Sequence, residues 1–149
     1  MALLEPPPEL QGKPRAVTYA IGGAIFITLI VFYFAFRYFP EKRAGEHFMD
    51  AVIAGNMPEA YELWKPSPSY KMGDFLADWG DGGYYGPVKS YKIVHAQSLK
   101  DSNGVILVVA VSPYTPFPLE TDAQKTRRTR FVNIFVKTDD KSLSFPPEY

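Results

Sequence analysis

The most apolar part of the chain is an uninterrupted run near its start. The 21 residues from Ala16 to Phe36 include no charged side chain. A helix of this length extends roughly 31 Å at about 1.5 Å per residue, close to the hydrocarbon thickness of a bilayer. Basic and aromatic residues flank the run, as is typical of headgroup boundaries. We therefore predict a transmembrane helix over residues 16–39, preceded by a Pro-rich tail over residues 1–15.

A cleaved signal peptide is the alternative interpretation of this run. The run is longer than a typical signal core, and the sequence that follows it, FRYFPEKR, contains no small-x-small cleavage pattern. We therefore expect a retained single-pass anchor, in a bacterial inner membrane. Basic residues are almost equally frequent on the two sides, so both orientations stay open, and we favour a C-terminal domain outside the cytoplasm.

Small residues recur at every fourth position of the predicted membrane helix, with one glycine beside them: Ala16, Ala20, Ala24, Thr28 and Gly23. A small-xxx-small stripe lets a second helix approach closely in a membrane. Alanine is also common in lipid-facing positions, so a lipid-facing stripe and a docking face remain alternatives.

Residues 40–149 are predicted to form one extramembrane domain, helical first and extended later. Pro40 is expected to end or kink the membrane helix. Apolar residues then recur three and four positions apart in three segments, with Gly55 and Asn56 placed to cap two of them. Four extended segments follow, of which VILVVAV (105–111) is apolar on both faces, as expected of a central strand. Asn103-Gly104 predicts the tight turn before it.

Segregated helices and strands indicate the α+β class, with about three helices on a curved, mainly antiparallel sheet of three to four strands. The stretches FMDAVIAGNMPEAYELW, FLADWG and YYGPVKSYKIV follow one another in this order. In this arrangement, residues 44–138 resemble the membrane-anchored NTF2-like domains. The resemblance implies a sheet wrapped by N-terminal helices into a cone. The layout of one anchor and one small domain also resembles single-pass assembly factors of cytochrome oxidase.

Composition mainly excludes functions. Lys and Arg number 16, as do Asp and Glu, so the formal charge is zero, which argues against nucleic-acid binding by bulk charge. Cysteine is absent, which excludes disulfides, thiolate metal sites and a cysteine nucleophile. With only two histidines, a histidine-rich metal site is not expected.

Carboxylates and histidines give weak candidates for chemistry. Asp74, Asp78 and Asp81 match no calcium-loop spacing, and we interpret them as an exposed helix end. A carboxylate near a tyrosine would suit an isomerase, but no spacing brings such a pair together. His47 follows the anchor by about ten residues, so axial ligation of a haem or chlorophyll stays open beside a structural role. We expect no catalytic residue, no metal and no bound cofactor.

Two groups are candidates for binding. Four positive charges lie within six residues, and we expect them to contact an acidic partner or anionic lipid unless they are simply solvated: Lys125, Arg127, Arg128 and Arg130. If a strand began there, Arg128 and Arg130 would share a face. The second group is aromatic and would form either core or an interface or pocket: Trp64, Trp79, Tyr84 and Tyr85.

These features together favour a non-catalytic accessory subunit of a larger membrane complex. The helix would dock on integral membrane subunits, and the domain would brace its neighbours, with a photosynthetic or respiratory electron-transfer complex as the expected host. We expect no nucleic acid and no small-molecule substrate as partners. Two alternatives stay open: a transient assembly factor or small-ligand module, and a membrane-tethered isomerase-like enzyme.

Overall fold

The computed structural model describes residues 12, 14–64 and 68–147. The predicted Pro-rich tail therefore lies almost entirely outside the described residues. The chain divides into two compact units, with the boundary between residues 37 and 38. In chain order the helices are α1 (Arg15–Phe36), α2 (Phe39–Ile53), α3 (Met57–Trp64), α4 (Met72–Trp79) and α5 (Ala123–Thr126). The strands are β1 (Ser90–Ser98), β2 (Gly104–Ser112), β3 (Arg130–Lys137) and β4 (Leu143–Ser144).

The first unit consists of α1, which has 22 residues and no buried side chain. Its most apolar stretch has a mean hydropathy of 2.1, and none of that stretch is buried. Among the described residues, one helix is long and apolar enough to cross a membrane, and it lies near the N-terminus. The helix ends at Phe36, slightly earlier than the predicted boundary at residue 39.

α1 ends at Phe36, four residues before Pro40, so the prediction that Pro40 ends or kinks the helix is confirmed. In a continuous helix the ring of Pro40 would clash with the carbonyl of Phe36, and Pro40 lies instead in the first turn of α2. Proline is well tolerated in a first helical turn, because the N–H that it lacks would have no intrahelical partner there. The predicted caps at the other end of α2 are present: Gly55 has a φ of +74°, and the N–H of Asn56 donates to the carbonyl of Ala51 at 3.0 Å. Asn56 then caps α3, accepting from the N–H of Glu59 at 3.4 Å.

The second unit is α+β, as predicted, with a four-stranded antiparallel open sheet in the order β1-β2-β3-β4. The predicted central strand is confirmed, because β2 pairs with both β1 and β3. Leu107 of β2 lies between Ala96 of β1 and Ile134 of β3. The register between β1 and β2 shifts between Ile93 and His95.

The turn before β2 differs from its predicted geometry. The residue with positive φ is Asp101, at 59°, and not Asn103 or Gly104. Gly104 is required for another reason: a Cβ added there would overlap the ring of Phe135 on β3. Glycine at this position therefore permits a close approach of two strands.

The three helices α2 to α4 and the sheet enclose a core centred on aromatic rings. The ring of Phe48 lies 4.9 Å from Trp64 and 5.0 Å from Trp79. Gly45 allows α2 to approach β2, because a Cβ there would lie 2.6 Å from Cδ1 of Leu107. In α4 the apolar pattern is only partly buried, since Phe75 lies in the core but Leu76 is exposed.

Candidate functional site

The small-residue stripe lies on α1, on which every described side chain is exposed. Ala16, Ala20, Gly23 and Ala24 make no packing contact with a buried core. The hydroxyl of Thr28 donates to the carbonyl oxygen of Ala24 at 2.8 Å. Because this polar group is satisfied within the helix, it adds little cost to placing the helix in lipid.

The four predicted aromatic residues separate into core and surface. Trp64 and Trp79 are core residues, with 3% and 1% of their surface exposed. Tyr85 is partly buried against that core, with its ring 5.0 Å from Trp79. Tyr84 is 63% exposed and lies edge-on to Tyr85 at 4.8 Å. The two tyrosines therefore lead from the core to the surface.

The basic run is likewise divided by the fold. Residues 123–126 form the short helix α5, capped by Asp122, whose side chain accepts from the N–H of Lys125 at 3.2 Å. The ammonium of Lys125 lies 3.8 Å from the Asp122 carboxylate and 5.6 Å from the centre of the Tyr114 ring. Lys125 is thus paired with Asp122 and lies over the ring of Tyr114.

Arg127, Arg128 and Arg130 line a cleft of about 530 Å³, which Lys125 does not line. Its other walls are residues 85–87, which precede β1, and the end of β2 together with Pro113. The register explains this convergence, because Val111 near the end of β2 pairs with Arg130 at the start of β3. Antiparallel pairing therefore gathers the segments before β1, after β2 and before β3 at one end of the sheet.

The arginines do not occupy one strand, so the condition under which Arg128 and Arg130 would share a strand face is not met. β3 begins at Arg130, while Arg127 and Arg128 follow α5 in a turn. The N–H of Arg128 donates to the carbonyl of Lys125 at 3.1 Å, which fixes this turn. The arginines line one cleft because the turn and the strand start adjoin it.

An aromatic residue holds one of the guanidinium groups. The guanidinium carbon of Arg130 lies 4.6 Å from the centre of the Tyr84 ring, within cation–π range. Burial raises the pKa of the Tyr85 hydroxyl, with smaller contributions from Tyr84 and Asp78, while the charge of Arg130 opposes the shift. The guanidinium of Arg130 therefore contacts the ring of Tyr84 and also acts on the pKa of Tyr85.

The cleft has cationic groups without local counter-charge. Within residues 14–64 and 68–147, no carboxylate lies within 4.0 Å of the guanidinium nitrogens of Arg127, Arg128 or Arg130. Thr129 also lines the cleft, and its buried hydroxyl oxygen has no hydrogen-bond partner in the described part of the chain. The arginines that line the cleft thus have donors that no carboxylate of the described residues occupies.

The other candidates are accounted for by local contacts. His47 is exposed, with Nε2 3.3 Å from Oε1 of Glu59. Asp74 accepts from the N–H of Lys71 at 2.8 Å at the start of α4. Asp78 accepts from the hydroxyl of Tyr70 at 2.5 Å. Across the described residues, no group of three or more His, Asp or Glu side chains could hold a metal ion.

The sequence singled out the arginines and tyrosines separately and missed what joins them. Gly86, Pro87 and Thr129 line the cleft but were not among the predicted site residues. A Gly-Pro pair directly before the first strand is a usable signal, since it marks a wall made largely of backbone at a strand entrance.

Comparison of the chain with protein-family models, with curated proteins and with solved structures finds no match.

Proposed function

We propose that this protein is a non-catalytic, single-pass membrane subunit that docks by α1 on an integral membrane partner. The observation that carries the proposal is the exposure of α1: after Arg15 it has no charged residue, yet none of its side chains is buried. Exposing that much apolar surface to water is strongly unfavourable, at about 25 cal/mol per Å². Lipid or another membrane helix removes this cost.

The small residues of α1 support docking as well as insertion. In lipid there is little hydrophobic drive to bring helices together, so association depends on close backbone approach. A Cβ added at Gly22 or Gly23 meets no atom within 4 Å, so no other part of the described chain occupies that space. The stripe Ala16, Ala20, Gly23, Ala24 and Thr28 is the proposed contact face.

We further propose that the second unit is an NTF2-like domain that braces neighbouring subunits. Three helices packed with an open antiparallel sheet support this assignment. An electron-transfer complex remains our proposed host, on the basis of the layout alone.

An isomerase is less well supported than a docking subunit. The most buried carboxylate among the described residues, that of Glu41, is 3.1 Å from the ammonium of Lys141, which neutralises it. Asp78 is bonded to Tyr70 beside a shallow groove. The rings of Phe48, Trp64 and Trp79 pack against one another in the core between the helices and the sheet.

The test is replacement of Ala20 and Ala24 by Leu in the full chain. A matched control replaces Ile25 by Leu and Leu29 by Ile on the opposite side of the helix, which adds no bulk to the stripe. We expect the stripe variant to leave its complex in mild detergent, measured by native-gel migration and co-purification, while both variants stay in the membrane after alkaline extraction. Unchanged co-purification of the stripe variant would contradict helix docking.

A further inference from the structure

We propose that the cleft lined by Arg127, Arg128 and Arg130 is a binding site for a phosphate-bearing ligand, which binds through its phosphate oxygens. This proposal is independent of helix docking, because it concerns only the second unit.

The first argument is the chemistry of the lining. Three arginines line one cleft, and each guanidinium offers planar paired N–H donors that match phosphate oxygens. Within the described residues they have no carboxylate partner, so their donors are not already used by an internal salt bridge. A ligand with several oxygens and more than one negative charge fits this lining best.

The second argument is that an aromatic contact already restrains the Arg130 side chain before any ligand binds. Arg130 is held 4.6 Å over the ring of Tyr84, which in turn contacts Tyr85 and, through it, the core ring of Trp79. An arginine supported in this way loses less side-chain freedom on binding than an unsupported one.

The size of the cleft favours a small ligand over a protein surface. Its volume of about 530 Å³ lies within the roughly 300–1,000 Å³ of small-molecule sites. A phosphate in such a site can belong to a soluble compound or to the headgroup of a lipid, so the experiment has one arm for each source.

The experiment measures binding to the full chain in an uncharged detergent by isothermal titration calorimetry. Inorganic pyrophosphate is the soluble probe, and water-soluble dihexanoyl phosphatidic acid is the lipid probe. We expect saturable binding of at least one, with affinity reduced about tenfold or more in Arg128→Gln, since charge-assisted hydrogen bonds are lost. A tenfold preference for the lipid probe assigns a headgroup, and the reverse preference assigns a soluble ligand.

The control variant is Lys125→Gln, which removes one charge of the same basic run but from outside the cleft. We expect it to bind the preferred probe within about twofold of the unchanged protein, because Lys125 is already paired with Asp122. Arg130→Lys keeps the charge but loses the planar fork, and it should also weaken binding. The proposal is overturned if neither probe saturates, or if Lys125→Gln weakens binding as much as Arg128→Gln. Loss of complex formation in the stripe variant would have no bearing on either result.

Discussion

Apart from Arg15 at the start of α1, the helix α1 and the strand β2 are both free of charge, but one is exposed and the other is largely buried. Every described side chain of α1 is exposed, whereas Val105, Leu107, Val109 and Val111 of β2 are all buried. β2 is covered because β1 and β3 pair with its edges and the helices α2 to α4 pack with the sheet. For α1, lipid or a second helix would have to provide the burial that the described residues of the chain do not provide. Apolar sequence thus indicates a need for burial without showing what provides it.

The largest expected effect comes from a substitution in the core of the second unit, which should change the stability of that unit but not the membrane insertion of α1. Phe48→Ala removes a fully buried ring beside Trp64 and Trp79. We expect it to lower the free energy of unfolding of the second unit by about 4 kcal/mol, while membrane retention of the chain is unchanged. Both tryptophans of the chain lie in this unit, so their fluorescence during denaturation in detergent reports on it alone.

The matched control is Phe131→Ala, since this ring is 65% exposed. It should change the free energy of unfolding by less than about 0.5 kcal/mol. If Phe48→Ala also released the chain from the membrane, α1 and the second unit would not be independent in the way this comparison requires.

A moderate loss of stability is expected when the buried carboxylate of Glu41 in α2 loses its ion pair. Glu41 is 5% exposed, its Oε1 lies 3.1 Å from Nζ of Lys141, and its Oε2 has no hydrogen-bond partner within the described chain. Lys141→Ala would leave a buried carboxylate unpaired. We expect a loss of about 2 kcal/mol, less than for a fully buried pair because the lysine is partly exposed.

The control for this change is Arg43→Ala, which breaks the exposed pair with Glu46 on the same helix. Its effect in the same denaturation measurement should be below about 0.5 kcal/mol. Equal losses in the two variants would show that burial of Glu41 does not determine the value of its pair.

The smallest effect concerns pH and the tyrosine beside α4. Burial, and then the hydrogen bond to Asp78, raise the pKa of Tyr70 above its usual value of 10.0. Above that pH the unfolded chain loses the phenolic proton before the folded chain does. Stability from this group is therefore complete below pH 10.0 and declines as the pH rises further.

Tyr70→Phe should remove this part of the alkaline decline and cost about 1 kcal/mol near neutral pH through the lost hydrogen bond. The measurement compares denaturation of the two proteins at pH values on either side of 10.0. Identical alkaline slopes for the variant and the unchanged chain would contradict the assigned role of Tyr70.

Much of the fold follows from local pattern. The apolar run predicts α1, and the two-sided apolar strand predicts the central position of β2, because each pattern has few structural solutions. The turn before β2 was less predictable. Gly104 looked like a turn residue, but the partner that makes it necessary, Phe135, lies on another strand, and strand partners are not visible in local sequence.

The candidate site was predictable in its parts but not in its assembly. Charge density picked out Arg127, Arg128 and Arg130, although it could not separate them from Lys125. That separation depends on the α5 turn and the Asp122 cap, which local propensity does not distinguish from a strand start. The pairings of Ser90 with Ser112 and of Val111 with Arg130 together bring residues 85–87 to the arginines, and register of this kind is a tertiary property.

One wall of the cleft constrains how related chains could diverge. A side chain at position 86 would overlap the carbonyl oxygen of Gly80, so Gly86 can be replaced only if the 80–86 loop is rebuilt. The arginines face no such steric limit and can be exchanged one at a time. In a lineage sharing this fold, glycine at position 86 should outlast the basic residues, and the cleft's shape would be inherited more faithfully than its ligand.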